Sequence, residues 1–280
     1  MFFCNLQNTV LAAAVSDWGQ LRAAVNDGDS DITVDTNIEN VSGGTVIVNS
    51  RSTTAITINS ANYISAEGYS SIFRNTGTLS ITDGTLKSGL TSTSGGAIYN
   101  TGTLNLNNIK LDGNSSTSTS TTGGGGAIYQ RGVLNINKGT FESNTTTARG
   151  GAIYGTSGAT GSVSSGSIFE LNSATGTSSS GGAIYTLGSP SFDGVTFNKN
   201  YATVNGGAIY VAGSTVTIAN GTFTDNGKKF PSVGDITVET DNGGAIYNDI
   251  GNITITDTTF TSNASTIAGG AIRNAVSSTR

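Results

Sequence analysis

The chain of 280 residues has no histidine, one cysteine, one methionine, one tryptophan and two prolines. Each shortage excludes something. Without histidine there is no Ser-His-Asp triad, no imidazole base and no His metal ligand. A lone Cys4 rules out a disulfide framework and a Cys-cluster zinc site. Charged residues make up 11%, where an ordinary globular domain has about 25%. The net charge is −5 and the Lys and Arg are scattered, which argues against nucleic acid as a partner. No apolar run approaches the ~18–20 residues of a membrane-spanning helix. Scarce proline and the lack of a G-X-Y period exclude collagen.

What is abundant is small and polar: 43 Thr, 40 Gly, 35 Ser and 28 Asn. Disorder goes with high net charge and few apolar residues. Here Ile, Leu, Val and Phe recur at fixed intervals, so the chain is expected to fold.

The interval is set by a repeat. G-G-A-I-Y starts at Gly95, Gly125, Gly150, Gly181, Gly206 and Gly243, and G-G-A-I-R starts at Gly269. F-x-x-N follows as Phe141–Asn144, Phe169–Asn172, Phe197–Asn200, Phe223–Asn226 and Phe260–Asn263, with Leu111–Asn114 in the first unit. Between them lies an alternating stretch such as T-L-N-L-N at 103–107 or V-L-N-I-N at 133–137. Alternation of apolar and polar residues marks half-buried strands. One unit therefore reads as three short strands, the second and third divided by a corner such as Asp83-Gly84, Asp112-Gly113, Lys138-Gly139, Asp193-Gly194 or Asn220-Gly221. Such pairs suit a corner that needs positive φ.

The unit length predicts one turn of a parallel β-helix, each coil about 4.8 Å above the last. Length variation concentrates after the Asn of F-x-x-N, at 115–122 and 227–241 among others. A stacked solenoid tolerates insertions at a loop and not within its strands. The Ile of each G-G-A-I, the Leu/Ile of strand two and the Phe are the expected interior. The Asn is expected to bond to its counterpart in the next coil. T-V-I-V-N at 45–49, A-I-T-I-N at 55–59, I-F-R-N at 72–75 and T-L-S-I-T at 78–82 read as less regular early coils. Ser16 to Val25 reads as a short amphipathic helix, N-capped by Ser16, covering the open first coil. Residues 1–14 read either as a damaged signal peptide or as an extended segment.

The alternating G-G-A-I and F-x-x-N strings, over roughly residues 95–274, resemble the repeats of polymorphic outer membrane proteins. That family belongs to the autotransporter adhesins. The resemblance implies a right-handed parallel β-helix, an extracellular or cell-surface location, and an adhesive role toward a host-cell surface protein or glycan, with self-association as a further option. The chain reaches Arg280 without a translocator barrel and reads as a fragment of a longer protein.

Candidate chemistry is thin. Parallel β-helices also include polysaccharide lyases and glycoside hydrolases, which need clustered carboxylates. Asp83, Asp112, Asp193 and Asp257 occupy similar corner slots and would either line up as a calcium row or serve as turn residues. Glu142 and Glu170 follow the Phe of consecutive units and would stack as an acidic pair. Outward Thr, Ser and Asn of strand two give a third option, ice binding. The favoured ligand-binding candidates are Tyr99, Tyr129, Tyr154, Tyr185, Tyr210 and Tyr247, which share one slot. If Ile points in, period-two alternation sends Tyr out. An outward ladder of rings would pack on a sugar or a partner protein, or stabilise the solenoid itself.

The expectation is an all-β, right-handed, single-stranded parallel β-helix with a short N-terminal capping helix. Residues 1–30 form the N-terminal segment and cap, and 31–280 form a β-helix of about ten coils. Its expected role is that of a non-enzymatic adhesin segment that binds through the tyrosine wall and corner loops. No cofactor, metal, catalytic residue or transmembrane segment is called for.

Overall fold

A computed structural model describes residues 12–41, 43–229 and 239–275. The chain winds into a parallel β-solenoid of about nine turns. Each regular coil contributes a strand to each of four stacked ladders, and every pairing between strands is parallel. The tyrosine wall holds the A-I-Y strands, from Val46–Val48 through Ile98–Asn100 to Ile272–Asn274. The alternating wall holds strand two, for example Thr103–Asn107 and Val133–Asn137. The phenylalanine wall holds strand three, for example Thr140–Glu142 and Ile168–Glu170. The tyrosine and phenylalanine walls have nine strands each among the described residues, so the expected ten coils are corrected to about nine.

The fourth ladder was not legible as a strand. It consists of two-residue pieces, Leu90–Thr91 after Gly89, and Ser115–Ser116, Thr145–Thr146, Ser173–Ala174 and Tyr201–Ala202 directly after the Asn of the repeat. The segment 115–122 expected as pure insertion thus begins in a strand. Its residues are too few and too polar to show a period.

Register follows side-chain identity. Ile98 sits on Ile128, Leu104 on Leu134 and Phe141 on Phe169. A slip of one residue would turn the apolar set outward, so burial fixes this alignment. Phe141, Phe169, Phe197, Phe223 and Phe260 form an interior stack with centroid spacings of 4.6, 5.0, 4.7 and 4.9 Å. The inward Leu of the alternating wall gives way to Gly161 and then Pro190 above Leu134. There Phe192 fills space and meets Phe197 edge-on at 5.8 Å.

Corners use the left-handed region. The residue before the Asn of F-x-x-N has positive φ in successive coils, Gly113, Ser143, Leu171, Lys199, Asp225 and Ser262, as does Ser88 before Gly89 in the coil ahead of them. The corner between the alternating and phenylalanine walls places Asp83, Asn108, Lys138, Gly166, Gly194, Asn220 and Asp257 there. Asp112-Gly113 therefore belongs to the other corner, contrary to the reading from spacing. Asp112 itself lies in the phenylalanine wall, paired with Lys87 and Glu142.

Two glycines in G-G-A-I have different reasons. The first has positive φ in all seven copies, from Gly95 to Gly269. The second lies flat against the next coil: a Cβ on Gly151 would run into the carbonyl oxygen of Gly182, and one on Gly182 into that of Gly207.

The Asn of F-x-x-N forms the expected ladder. Asn144, Asn172, Asn200 and Asn226 are fully buried. Each donates its amide to the Oδ1 of the next, as Asn144 to Asn172 at 3.0 Å and Asn200 to Asn226 at 2.9 Å. Each also donates to a carbonyl of the preceding coil, as Asn172 to Phe141 at 2.9 Å.

The helix α1 spans Trp18–Asp27 and buries Trp18, Leu21, Ala24 and Val25 in the core at the first coils. Its N-cap is Asp17, whose carboxylate accepts from Gln20 N at 2.9 Å; Ser16, the expected cap, lies one residue too early. Gly28 closes the helix in the left-handed conformation. Ahead of it, Ala13–Val15 pairs in parallel with Ile32–Val34. Residues 1–11, most of the segment read as a damaged signal peptide or extended arm, lie outside the described residues.

Candidate binding face

The six candidate tyrosines form one continuous column. Ring centroids are 4.8 Å apart for Tyr99–Tyr129, 5.5 Å for Tyr129–Tyr154, 5.3 Å for Tyr154–Tyr185, 4.7 Å for Tyr185–Tyr210 and 5.1 Å for Tyr210–Tyr247. Interplanar angles of 13° or less make this face-to-face stacking imposed by coil spacing. The column lies outside the Ile layer, as alternation requires. Its rings are nevertheless covered: Tyr154 is 3% exposed and Tyr185 5%, while the other four are half-buried. Each inner ring spends both faces on its neighbours. A ligand reaching the column meets ring edges and hydroxyls, so stacking of a sugar on an inner ring face is closed off.

Arginines edge the column. Arg74 occupies the tyrosine slot one coil earlier, with its guanidinium 5.3 Å from the Tyr99 centroid. Arg273 occupies it one coil later, paired with Tyr247. Arg149 lies 4.8 Å from the Tyr185 centroid and donates to its hydroxyl at 3.0 Å. Tyr210 donates to Asp249 at 3.1 Å. Sequence reasoning missed these arginines as a group. The signal was the replacement of Tyr by Arg in I-F-R-N and G-G-A-I-R.

Beside the column run the connections from the fourth ladder to the tyrosine wall. They span residues 92–97, 117–127, 147–152, 175–183 and 203–208, and thus vary in length along one edge. Loops of three successive coils form an open cleft of about 250 Å³ lined by Ser120, Thr121, Arg149 and Ser178 among others. The segment 227–241 falls on the same edge, with 230–238 outside the described residues.

The other candidates do not converge. Glu142 and Glu170 are register partners, yet each has its own neighbour. Glu142 binds Lys110 at 2.8 Å, and Glu170 accepts from Asn198 at 2.7 Å. That hydrogen bond from Lys110, ahead of its opposing desolvation, raises the Lys110 pKa. Asp83 accepts from Asn108, and Asp193 from Asn220, so amides separate the corner carboxylates. Among the described residues no group of three or more His, Cys, Asp or Glu gathers as a metal site. On the outer face of the alternating wall, Asn135 donates to Asn105 at 3.0 Å and Asn137 to Asn107 at 2.6 Å, so these amides are turned on each other. A second amide ladder, also unforeseen, joins Asn75, Asn100 and Gln130 through contacts of 2.7 Å from Asn75 to Asn100 and from Asn100 to Gln130.

Burial leaves a titration signature. It raises the phenols of Tyr129, Tyr154, Tyr185 and Tyr210, with Tyr154 pushed up to about 12 by burial first and then by Tyr185 and Tyr129. A raised phenol favours the neutral folded form. Its stabilising contribution is complete below the unfolded value of about 10 and is lost as pH rises through the folded value. We expect stability to fall steeply above about pH 10. Tyrosinate absorption should lag in the native protein relative to the denatured chain; coincident titration curves would contradict the buried column.

The fold and this face define a class: an extended parallel β-solenoid with a filled interior and one edge of variable polar loops. The Chlamydia polymorphic membrane protein repeat matches the chain at residues 138–156, 166–187 and 194–212. Each match runs from the corner before the phenylalanine wall, through F-x-x-N and the fourth ladder, into G-G-A-I-Y. The chain thus carries repeats of the polymorphic membrane protein type. No curated protein and no solved structure matches it. Among the described residues no helix is long and apolar enough to cross a membrane.

Proposed function

We propose that this solenoid is a non-enzymatic, adhesin-like segment displayed at a bacterial surface, and that it binds host-surface molecules along the loop-bearing edge beside the tyrosine column. The observation that carries this reading is the placement of length variation. The ladders keep their register coil after coil, while the connections into the tyrosine wall change in length and line an open cleft. A rigid scaffold with variable loops on one edge is the usual arrangement of a binding protein. The repeat match supports a surface location of the autotransporter-passenger kind. The scattered carboxylates weigh against the polysaccharide-active alternative.

Arg149 anchors the cleft, and arginine with tyrosine is enriched among residues that dominate binding energy. Labelled protein is expected to bind cultured animal cells, and Arg149→Ala to weaken that binding roughly tenfold or more. Asn137→Ala, on the far side of the coil, is expected to leave it unchanged. Equal binding by both variants would remove the cleft from the proposal. Turnover of a glycan, abolished in Glu142→Gln with Glu170→Gln, would replace it with the enzymatic reading.

A further inference from the structure

A second and larger recess lies at the N-terminal end of the same edge. It is a groove of about 800 Å³ between α1, the first strands of the tyrosine wall and the turn after residue 91. It exists because the fourth ladder starts only at Leu90–Thr91, which leaves the earlier coils open on that side.

Its lining is unusual for this acidic chain. Arg22 reaches it from the helix and Arg74 from the tyrosine wall, both exposed, and no Asp or Glu is among the lining residues described. Among the described residues neither guanidinium is in an ion pair. Arg22 lies over the backbone of Gly44, which as glycine leaves room for it, and Arg74 lies against the Tyr99 ring. Between them the groove offers Tyr69, 65% exposed, Ile47, 45% exposed, and hydroxyls such as that of Ser92. Unlike the inner rings of the column, Tyr69 stacks on no other ring among the described residues.

We infer that this groove binds an anionic oligosaccharide, one that carries carboxylate or sulfate groups on its rings. This inference rests on the loop-bearing edge being a ligand-binding surface and adds the chemistry of the ligand. Guanidinium forks match carboxylate and sulfate oxygens bidentately. An exposed aromatic ring packs on the apolar face of a sugar. Hydroxyls bond the remaining ring hydroxyls. An acidic peptide would offer carboxylates to the same arginines, but the exposed face of Tyr69 and the hydroxyl-rich lining suit a sugar ring, and decaglutamate is the comparison that separates the two.

The test is calorimetric titration with a chondroitin sulfate hexasaccharide, with neutral chitohexaose and decaglutamate as comparisons. The sulfated sugar is expected to bind, more weakly as salt rises, and to bind better than either comparison. Arg22→Gln with Arg74→Gln is expected to lower its affinity roughly tenfold or more, and Tyr69→Ala to lower it too. Both arginines are exposed, so the melting temperature should hold and serves as the folding control. No sugar binding, equal binding by the double variant, or stronger binding of decaglutamate would overturn the inference. The cell assay separates the two proposals. If cell binding survives Arg22→Gln with Arg74→Gln but not Arg149→Ala, and the sugar is not bound, the groove falls and the binding edge stands. If the sugar binds through the arginines while the protein ignores cells, the adhesive reading falls and the groove stands.

Discussion

Gly182→Ala is expected to destabilise the solenoid by about 4 kcal/mol or more. The methyl group would strike the carbonyl oxygen of Gly207 in the next coil and the backbone of Tyr201 beside it. Both obstacles are main chain. Neither can retreat without opening the ladder bonds of the next coil, such as Gly182 N to Gly206 O at 3.0 Å and Ala183 N to Ala208 O at 2.9 Å. Because coils stabilise one another as nearest neighbours, damage at one interface uncouples the stack on either side. The control is Gly158→Ala, where an added Cβ meets nothing within 4 Å, and a change within about 0.5 kcal/mol is expected. Thermal unfolding followed by circular dichroism reads both. Equal melting curves would refute the tight coil-to-coil contact.

The second large effect is at the buried amide ladder. Asn172 accepts from Asn144 N at 3.1 Å and from Asn144 Nδ2 at 3.0 Å, and donates to Phe141 O at 2.9 Å and to Asn200 Oδ1 at 3.0 Å. Asn172→Ala removes all four bonds and leaves buried partners unsatisfied, at about 1–3 kcal/mol for each orphaned group. A loss of about 4 kcal/mol or more is expected. Asn172→Asp keeps size and acceptor but cannot donate, and it brings a charge into the interior. It should therefore be at least as damaging as Ala. A near-native Asp variant would mean that the site needs volume and not hydrogen bonds.

The sequence made the repetitive parts of this fold legible, because stacking repeats the same residue at the same place. Ile98, Ile128 and Ile153 recur for that reason, as do Phe141, Phe169 and Phe197, and the amide ladder follows from the same recurrence. What escaped was conformation without a side-chain preference. Leu171 and Lys199 hold the same left-handed corner as Ser143 and Gly113, so composition there carries no mark. The fourth ladder has a related problem, since Ser115, Thr145 and Tyr201 share only a hydroxyl, in two-residue strands too short to show a period. The tyrosine slot was found, but not its degree of burial. Burial comes from stacking at 4.7–5.5 Å and from contacts such as Arg149 on Tyr185, between residues 36 apart in sequence. The site thus moved from ring faces to ring edges and the loops beside them. The groove with Arg22 and Arg74 joins residues from a helix and a wall, a conjunction no local motif announces.

One edge of the solenoid is expected to meet the ligand. Site-directed masking tests it most directly. In a Cys4→Ser background, Thr121→Cys places a thiol on the loop edge, and Asn137→Cys places one about half a turn away along the coil; both positions are exposed. Each is coupled to a maleimide–polyethylene glycol chain, and binding to cells is measured. Masking at residue 121 is expected to abolish binding, and masking at residue 137 to leave it intact. Binding that survives the first and is lost with the second would contradict the claim.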